Sequence, residues 1–172
     1  MEKQDRFQWA AEIMAIRPDE HVLEIGCGAG IAVTQVATSL TKGTITAIDQ
    51  SAAMIKKASA RNAAFIETGK AIFIAASLAN VTLKKQYNKI FAFNVSIFWK
   101  EASRELGAVK KLLSPQGKLY IFHQPPPGTT ATFNKSIATK VVETLEKENF
   151  TILDIVHKKM SPAPVVCIVA KV

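Results

Sequence analysis

Residues 21–30 read HVLEIGCGAG. A short apolar run, partly β-branched, carries an acid at Glu24 and then meets glycine at alternate positions, Gly26, Gly28 and Gly30. Downstream, Ile31, Val33, Val36 and Ala37 recur at the spacing of one helix face. The stretch therefore reads as a strand, a turn that brings backbone close to a ligand, and a helix whose N-terminus faces that turn. A dinucleotide-binding turn places its third glycine at position 31, where this chain has Ile31.

Outward from this unit, strand-like and helix-like segments alternate. Phe7 to Ala15 has helical spacing and is stopped by Arg17-Pro18. Thr44–Ile48 is a β-branched run ending at Asp49, and Ser51 can cap the helix that follows toward Arg61. Ala71–Ala75 and Lys89–Phe93 read as a third and a fourth strand. Leu106–Leu113 reads as a helix, Pro115-Gln116-Gly117 as a turn, and Lys118–His123 as a fifth strand. Pro125 to Gly128 reads as a loop, with a helix over Lys135–Lys147 beyond it. Phe150–Val156 and Val165–Ala170 close the chain as two strands reversed through Ser161-Pro162-Ala163-Pro164, which requires an antiparallel pair. Alternation of this kind predicts an α/β, doubly wound, mostly parallel sheet with helices on both faces. Ligands of such sheets bind beyond the carboxyl ends of the strands. The residues to inspect are Glu24 through Gly30, Asp49, Ala76-Ser77, Asn94 and His123.

The composition suits one globular domain: 172 residues, 48% apolar and 21% charged. No apolar run approaches the roughly 20 residues of a membrane helix, and the opening MEKQDRFQWA has no signal-peptide core. Cys27 and Cys167 stand alone, which points to reduced thiols of a cytoplasmic protein and to no metal site. The net charge of +8 admits an acidic partner, but the lysine pairs Lys56-Lys57, Lys84-Lys85, Lys110-Lys111 and Lys158-Lys159 are scattered, so nucleic acid is not the favoured one.

Glycine turn and helix N-terminus suit a diphosphate and equally the carboxylate of an amino-acid group. Asp49, ending the second strand, can accept from both hydroxyls of a ribose through charge-assisted bonds. Together these features point to an adenosine-type ligand.

The segments VLEIGCGAG (22–30), AIDQS (47–51), YNKIFAFNV (87–95), LLSPQGKLYIF (112–122) and the closing pair FTILDIVHKKMSPAPVVCIVAKV (150–172) resemble the class I S-adenosylmethionine-dependent methyltransferases. The likeness covers nearly the whole chain and explains the early third glycine as that family's E-x-G-x-G-x-G loop. It implies a seven-stranded sheet whose last strand is antiparallel. It also implies a single domain over 1–172, with 1–19 a helical cap on a Rossmann-like core over 20–172. The cofactor implied is S-adenosylmethionine, leaving S-adenosylhomocysteine as product. By position, Glu24 would face the methionyl amino group, and the backbone from Gly26 through Cys27, Gly28 and Gly30 would line the methionyl and ribose portion. Asp49 would hold the ribose, Gln50 would flank the adenine, and Asn94 would border the donor. One departure stands out. Where the family often carries a glycine and an aspartate after the third strand, this chain has Ala76 and Ser77, leaving Ser77 and the Leu78 backbone to meet the adenine.

Methyl transfer is an in-line displacement for which alignment supplies much of the acceleration, and a base is needed only if the acceptor must lose a proton. His123 is the expected base, or else a polar residue on the sheet rim. Asn94 would orient an acceptor or cap its strand. Trp9, Phe98 and Trp99 would wall an acceptor pocket, with Trp9 and Phe7 able to close over the donor, or all would serve as core. His21 and His157 receive no role. The proline run after His123 does not fit the N/D-P-P-Y/F segment of enzymes acting on base or glutamine amides, which falls after the fourth strand; here that place reads NVSIFW. A small-molecule acceptor is the first expectation, with a second copy of the chain as a partner able to complete the pocket. The rivals are an RNA or protein methyltransferase, a degenerate donor-binding module, and a nicotinamide-dependent oxidoreductase, the last disfavoured by Ile31 and the antiparallel tail.

Overall fold

A computed structural model describes residues 2–100, 102–129 and 131–172. The elements are α1 (Glu2–Met14), β1 (His21–Ile25), α2 (Ile31–Ser39), β2 (Thr44–Asp49), α3 (Ala52–Arg61), α4 (Ala63–Glu67) and β3 (Ala71–Ala75). They continue with β4 (Tyr87–Phe93), a 3-10 turn (Ser96–Trp99), α5 (Ser103–Leu112), β5 (Leu113–His123), α6 (Ala131–Lys147), β6 (Thr151–Lys158) and β7 (Val165–Lys171). The seven strands form one sheet in the order β3-β2-β1-β4-β5-β7-β6. All neighbours are parallel except those of β7, which runs antiparallel to both β5 and β6. The order reverses between β1 and β4, which opens the ligand crevice there.

Alternate strand residues sort onto two faces, as the pleat requires. Val22, Phe91, Phe93, Tyr120 and Phe122 point to one layer, where α1 and α2 bring Phe7, Trp9, Met14, Val33 and Val36. Leu23, Ile25, Ile90, Ile121 and Ile168 point to the other, where α5 and α6 bring Leu106, Val109, Val141 and Leu145. Trp9 packs edge-on to Phe122 at 5.9 Å, and Phe98 is 1% exposed. Both side chains pack in the core, on opposite faces of the sheet.

At the end of the strands away from the crevice, buried Lys89 pairs with buried Glu20, and Glu20 Oε2 accepts from Arg17 N at 2.9 Å. Burial without such a partner would cost each charge several kcal/mol, on the order of the usual desolvation penalty. The pair anchors the entry to β1 against β4.

One local feature differs from the sequence reading, and a second lies where the sequence reading assigned no element. Leu113 already pairs with Tyr87, while Lys118 pairs with Lys89, so the Pro115-Gln116-Gly117 turn is a bulge within β5. A Cβ at Gly117 would sit 2.8 Å from Tyr87 O, which reserves that position for glycine. The connection from β3 to β4 (residues 76–86) contains no helix. Leu78, Val81 and Leu83 of this connection reach the second layer, and Ile72 on β3 is left 43% exposed.

Candidate cofactor and active site

The glycine turn leaves β1 with positive φ at Gly26 (72°), Gly28 (51°) and Gly30 (71°), the left-handed region that disfavours a side chain. Space separates their roles. A Cβ at Gly26 would lie 2.6 Å from Val95 Cγ2, and one at Gly30 would lie 2.8 Å from Ala58 Cβ, whereas one at Gly28 meets nothing within 4 Å. Gly26 and Gly30 are packing glycines, and Gly28 faces open room.

The turn is pinned from three sides. Gly26 N and Cys27 N both donate to Ile48 O, at 2.8 and 3.0 Å. Gly28 N donates to Asp49 Oδ2 at 2.9 Å, and Ser51 N donates to Asp49 Oδ1 at 2.8 Å. Asn62 Nδ2 donates to Gly30 O at 3.0 Å, and Arg61 Nε donates to Ala29 O at 3.0 Å. Each Asp49 oxygen keeps a lone pair beyond these bonds.

Two cavities of about 220 Å³ each share Gly26 in their walls. One lies toward the second layer, bounded by Ile48, Asp49, Gln50, Ser77, Leu78 and Glu105. The other lies toward the first layer, bounded by Arg6, Phe7, Glu24, Cys27, Gly28 and Asn94. An occupant of both would bend over the end of β1 from one face of the sheet to the other.

Glu24 is 2% exposed, and its Oε2 is buried without a partner. Burial, reinforced by Asp49, holds its carboxyl well above the usual carboxylate range. The same burial, with Glu24 and Asp49 adding to it, pushes the Cys27 thiol up, so it stays protonated and is no nucleophile. Asn94 has φ 56°; its Oδ1 accepts from Gln124 N at 2.8 Å and its N donates to Phe122 O at 2.9 Å. It caps the exits of β4 and β5, and its side-chain NH2 remains to address a ligand.

His123 ends β5 on the second-layer face. It is buried, both ring nitrogens lack partners, and Trp99 meets it edge-on at 4.9 Å. Burial lowers its pKa, which keeps the imidazole neutral.

The structure thus brings Glu24, Gly26, Cys27, Gly28, Asp49, Gln50, Ser77, Leu78 and Asn94 to the two cavities. Gly30 lies behind them as a packing residue, and His123 with Trp99 forms a separate pair at the end of β5. Three residues were missed. Arg6 and Glu105 line the cavities from α1 and α5, and Gln124 joins the exits of β4 and β5. Nothing in the local sequence marks them, because their placement depends on how helices dock on the sheet.

A family profile described as "Methyltransferase domain" matches residues 22–117. The uncharacterized methyltransferase YdaC of Bacillus subtilis (strain 168) is 26% identical over 172 residues, covering 99% of this chain and 93% of its own. The fold is similar to the crystal structure of magnesium protoporphyrin IX methyltransferase (ChlM) from Synechocystis PCC 6803 with bound SAM, with TM-score 0.71 and 17% identity over 98% of this chain and 77% of that one. It is also similar to that of the cyclase SpnF, with TM-score 0.79 and 14% identity over 98% of this chain and 80% of that one.

Proposed function

The chain belongs to the methyltransferase-domain family, and on that premise we propose that it transfers a methyl group from S-adenosylmethionine to a small-molecule acceptor in the cytoplasm. The observation that carries the donor assignment is the pair of cavities meeting at Gly26. One offers the Asp49 carboxylate beside apolar walls, and the other offers an unpartnered buried acid. The residues fit the donor on physical grounds. A buried carboxylate without a partner is stabilised by a cation such as an amino group. The open side of Gly28 admits a ligand against the backbone. A diphosphate, by contrast, would bring negative charge against Glu24 and Asp49.

When bound, S-adenosylmethionine supplies a methyl group on a positively charged sulfur. The chain's own residues bind and orient it. Asp49 would accept from the ribose hydroxyls with the lone pairs left by Gly28 N and Ser51 N. Leu78 and Ile48 would flank the base. Glu105 lines the same cavity and supplies the acceptor that Ser77 lacks as an ionised group. Glu24 would accept from the methionyl amino group.

On the acceptor side, His123 is the base, because it is neutral, buried and free at both nitrogens. Trp99 beside it offers an apolar wall. A macromolecular acceptor is the second reading, favoured only by the net charge of +8. Binding of RNA through phosphates would weaken steeply with salt.

The test is thermal denaturation with S-adenosylhomocysteine, with oxidised nicotinamide dinucleotide as control. Ligand at about 100 times its dissociation constant adds roughly 2.7 kcal/mol of stability. A rise with the former alone is expected, and a rise with the dinucleotide alone would overturn the assignment. Turnover on a panel of small oxygen, nitrogen and sulfur nucleophiles then decides between an enzyme and a module that only binds the donor.

A further inference from the structure

Two lysine pairs far apart in sequence meet at the end of the sheet opposite the glycine turn. Lys84 and Lys85 lead into β4, Lys110 and Lys111 close α5, Lys118 follows the bulge in β5, and Lys171 ends β7. β4, β5 and β7 are neighbours. Because β7 runs antiparallel, its last residues return to the edge where β4 and β5 begin. Leu119 pairs with Ala170, which sets Lys118 and Lys171 side by side on adjacent strands. Like charges so placed repel, yet no ion pair among the described residues joins any of these lysines to an acid. All but the half-buried Lys110 are exposed. At the same edge Gln86, Lys110, Ser114, Gly117 and Val172 bound a cavity of about 250 Å³. The Gln86 amide and the Ser114 hydroxyl add donors to the Lys110 ammonium, a set that suits one phosphate group.

Aliphatic side chains are exposed at this edge as well. Ile66 is 40% exposed, Ile72 43% and Val172 60%. Ile66 and Ile72 flank Lys70, whose N donates to Phe65 O at 2.8 Å at the entry to β3. Val172 follows Lys171. The other exposed large aliphatics, Leu153 and Ile155, lie on β6, whose first residue pairs with Lys171. Lysines interspersed with exposed aliphatic carbon suit an anionic bilayer: headgroups attract the ammonium groups, and the aliphatic tips enter the interface. Nucleic-acid faces instead offer aromatic platforms or arginine forks. Here Tyr87 and Phe150 are buried, Phe65 packs on the core, and Arg17 is engaged by Asp19 and Glu20.

We propose that this edge docks the protein on an anionic lipid surface, with one lipid phosphate seated in the cavity beside the β5 bulge. The inference does not depend on the donor reading. β4 is 7 residues long, so the donor cavities stand about 20 Å away from the lipid, on the side open to water. The attraction acts within a Debye length and weakens with salt.

The test is co-sedimentation of the full chain with vesicles of phosphatidylcholine alone, and of phosphatidylcholine and phosphatidylglycerol in equal parts. Three variants are compared, with melting curves to check each fold. The edge variant combines Lys84→Gln, Lys85→Gln, Lys111→Gln and Lys118→Gln. The control variant removes the same charge from α3 and α6 through Lys56→Gln, Lys57→Gln, Lys135→Gln and Lys140→Gln. The third variant, Ile66→Gln with Ile72→Gln, leaves the charge unchanged.

The wild-type chain is expected on the anionic vesicles and not on the neutral ones. The edge variant is expected to lose at least about tenfold in partition and the control to stay within about twofold. The isoleucine variant is expected to lose about threefold or more, through lost apolar burial. Absence from the anionic vesicles would overturn the proposal. Equal losses in the edge and control variants would overturn it too, since net charge alone would then account for binding. Polyuridine RNA bound through the edge lysines, with no partition into vesicles, would make the partner a nucleic acid and overturn it likewise.

Discussion

Asp49 Oδ2 accepts from Gly28 N at 2.9 Å, so the residue that ends β2 also fixes the glycine with open space beside it. With Oδ1 on Ser51 N, one carboxylate ties the exit of β1 to the start of α3. Asp49→Ala removes both acceptors and the proposed ribose contact together. It is expected to lower stability by about 1–3 kcal/mol and to weaken S-adenosylhomocysteine at least about tenfold. Denaturant melts and calorimetry read the two effects separately, and retention of full affinity would show that the ribose lies elsewhere.

Gly28 and Gly30 give opposite outcomes when each is changed to alanine. Gly28→Ala meets no atom and carries only the left-handed backbone cost of about 1–2 kcal/mol, but its methyl group enters the donor cavity. It is expected to fold and to bind poorly. Gly30→Ala drives a carbon into Ala58 and Asn62, so it is expected to destabilise the fold more than Gly28→Ala does. Melting curves with and without ligand distinguish the two, and identical behaviour would refute this division of labour.

Glu24 makes stability and binding depend on pH in opposite senses. Burial, then Asp49, raises its folded-state pKa, so the native state binds more protons than the unfolded one above about 4.5. The ligand-free protein is therefore expected to lose stability as pH rises through that range. An amino group at Glu24 lowers the pKa again, so donor binding releases a proton and tightens as pH rises. Calorimetry in buffers of different ionisation enthalpy measures the proton, and Glu24→Gln is expected to abolish it.

His123 has the reverse sign. Its folded-state pKa is lowered by burial from 6.5, so the unfolded state binds more protons as the solution acidifies. Stability is expected to fall as pH drops below about 6.5, and His123→Asn is expected to flatten that slope. With an acceptor that must lose a proton, the same substitution is expected to cost about 100-fold or more in turnover while leaving donor affinity intact. Unaltered turnover would return His123 to a structural role.

Glu105, half-buried in the first turn of α5, lines the second-layer cavity, where the stretch after β3 offers no acid. Glu105→Gln is expected to weaken S-adenosylhomocysteine and 5′-methylthioadenosine by the same factor, of about three to ten, with no change in melting of the free protein. A difference between the two ligands would place Glu105 away from the adenine.

The strands and the glycine turn were legible because their signals are local. β-branched runs end in Asp49 and Glu24-Ile25, and glycines stand where the backbone has positive φ. The antiparallel hairpin was legible for the same reason, since the proline-rich reversal leaves no room for a crossover. Side-chain direction across the layers was not. Trp9 and Trp99 look alike in sequence, yet one packs on Phe122 and the other on His123, on opposite faces of the sheet. Arg6 carries no local mark at all. It becomes a site residue only when α1 docks across Phe93, a contact between the first helix and the fourth strand.

The helix-free connection between β3 and β4 turns this chain into a scaffold with a vacant bay. Residues 76–86 reach the second-layer cavity at Ser77 and Leu78 while leaving Ile72 uncovered on the sheet. A designed helix spliced there would rest on exposed apolar surface and leave β1, β4 and the glycine turn undisturbed. It would also raise a new wall beside the cavity, so specificity could be rewritten at the edge of the sheet.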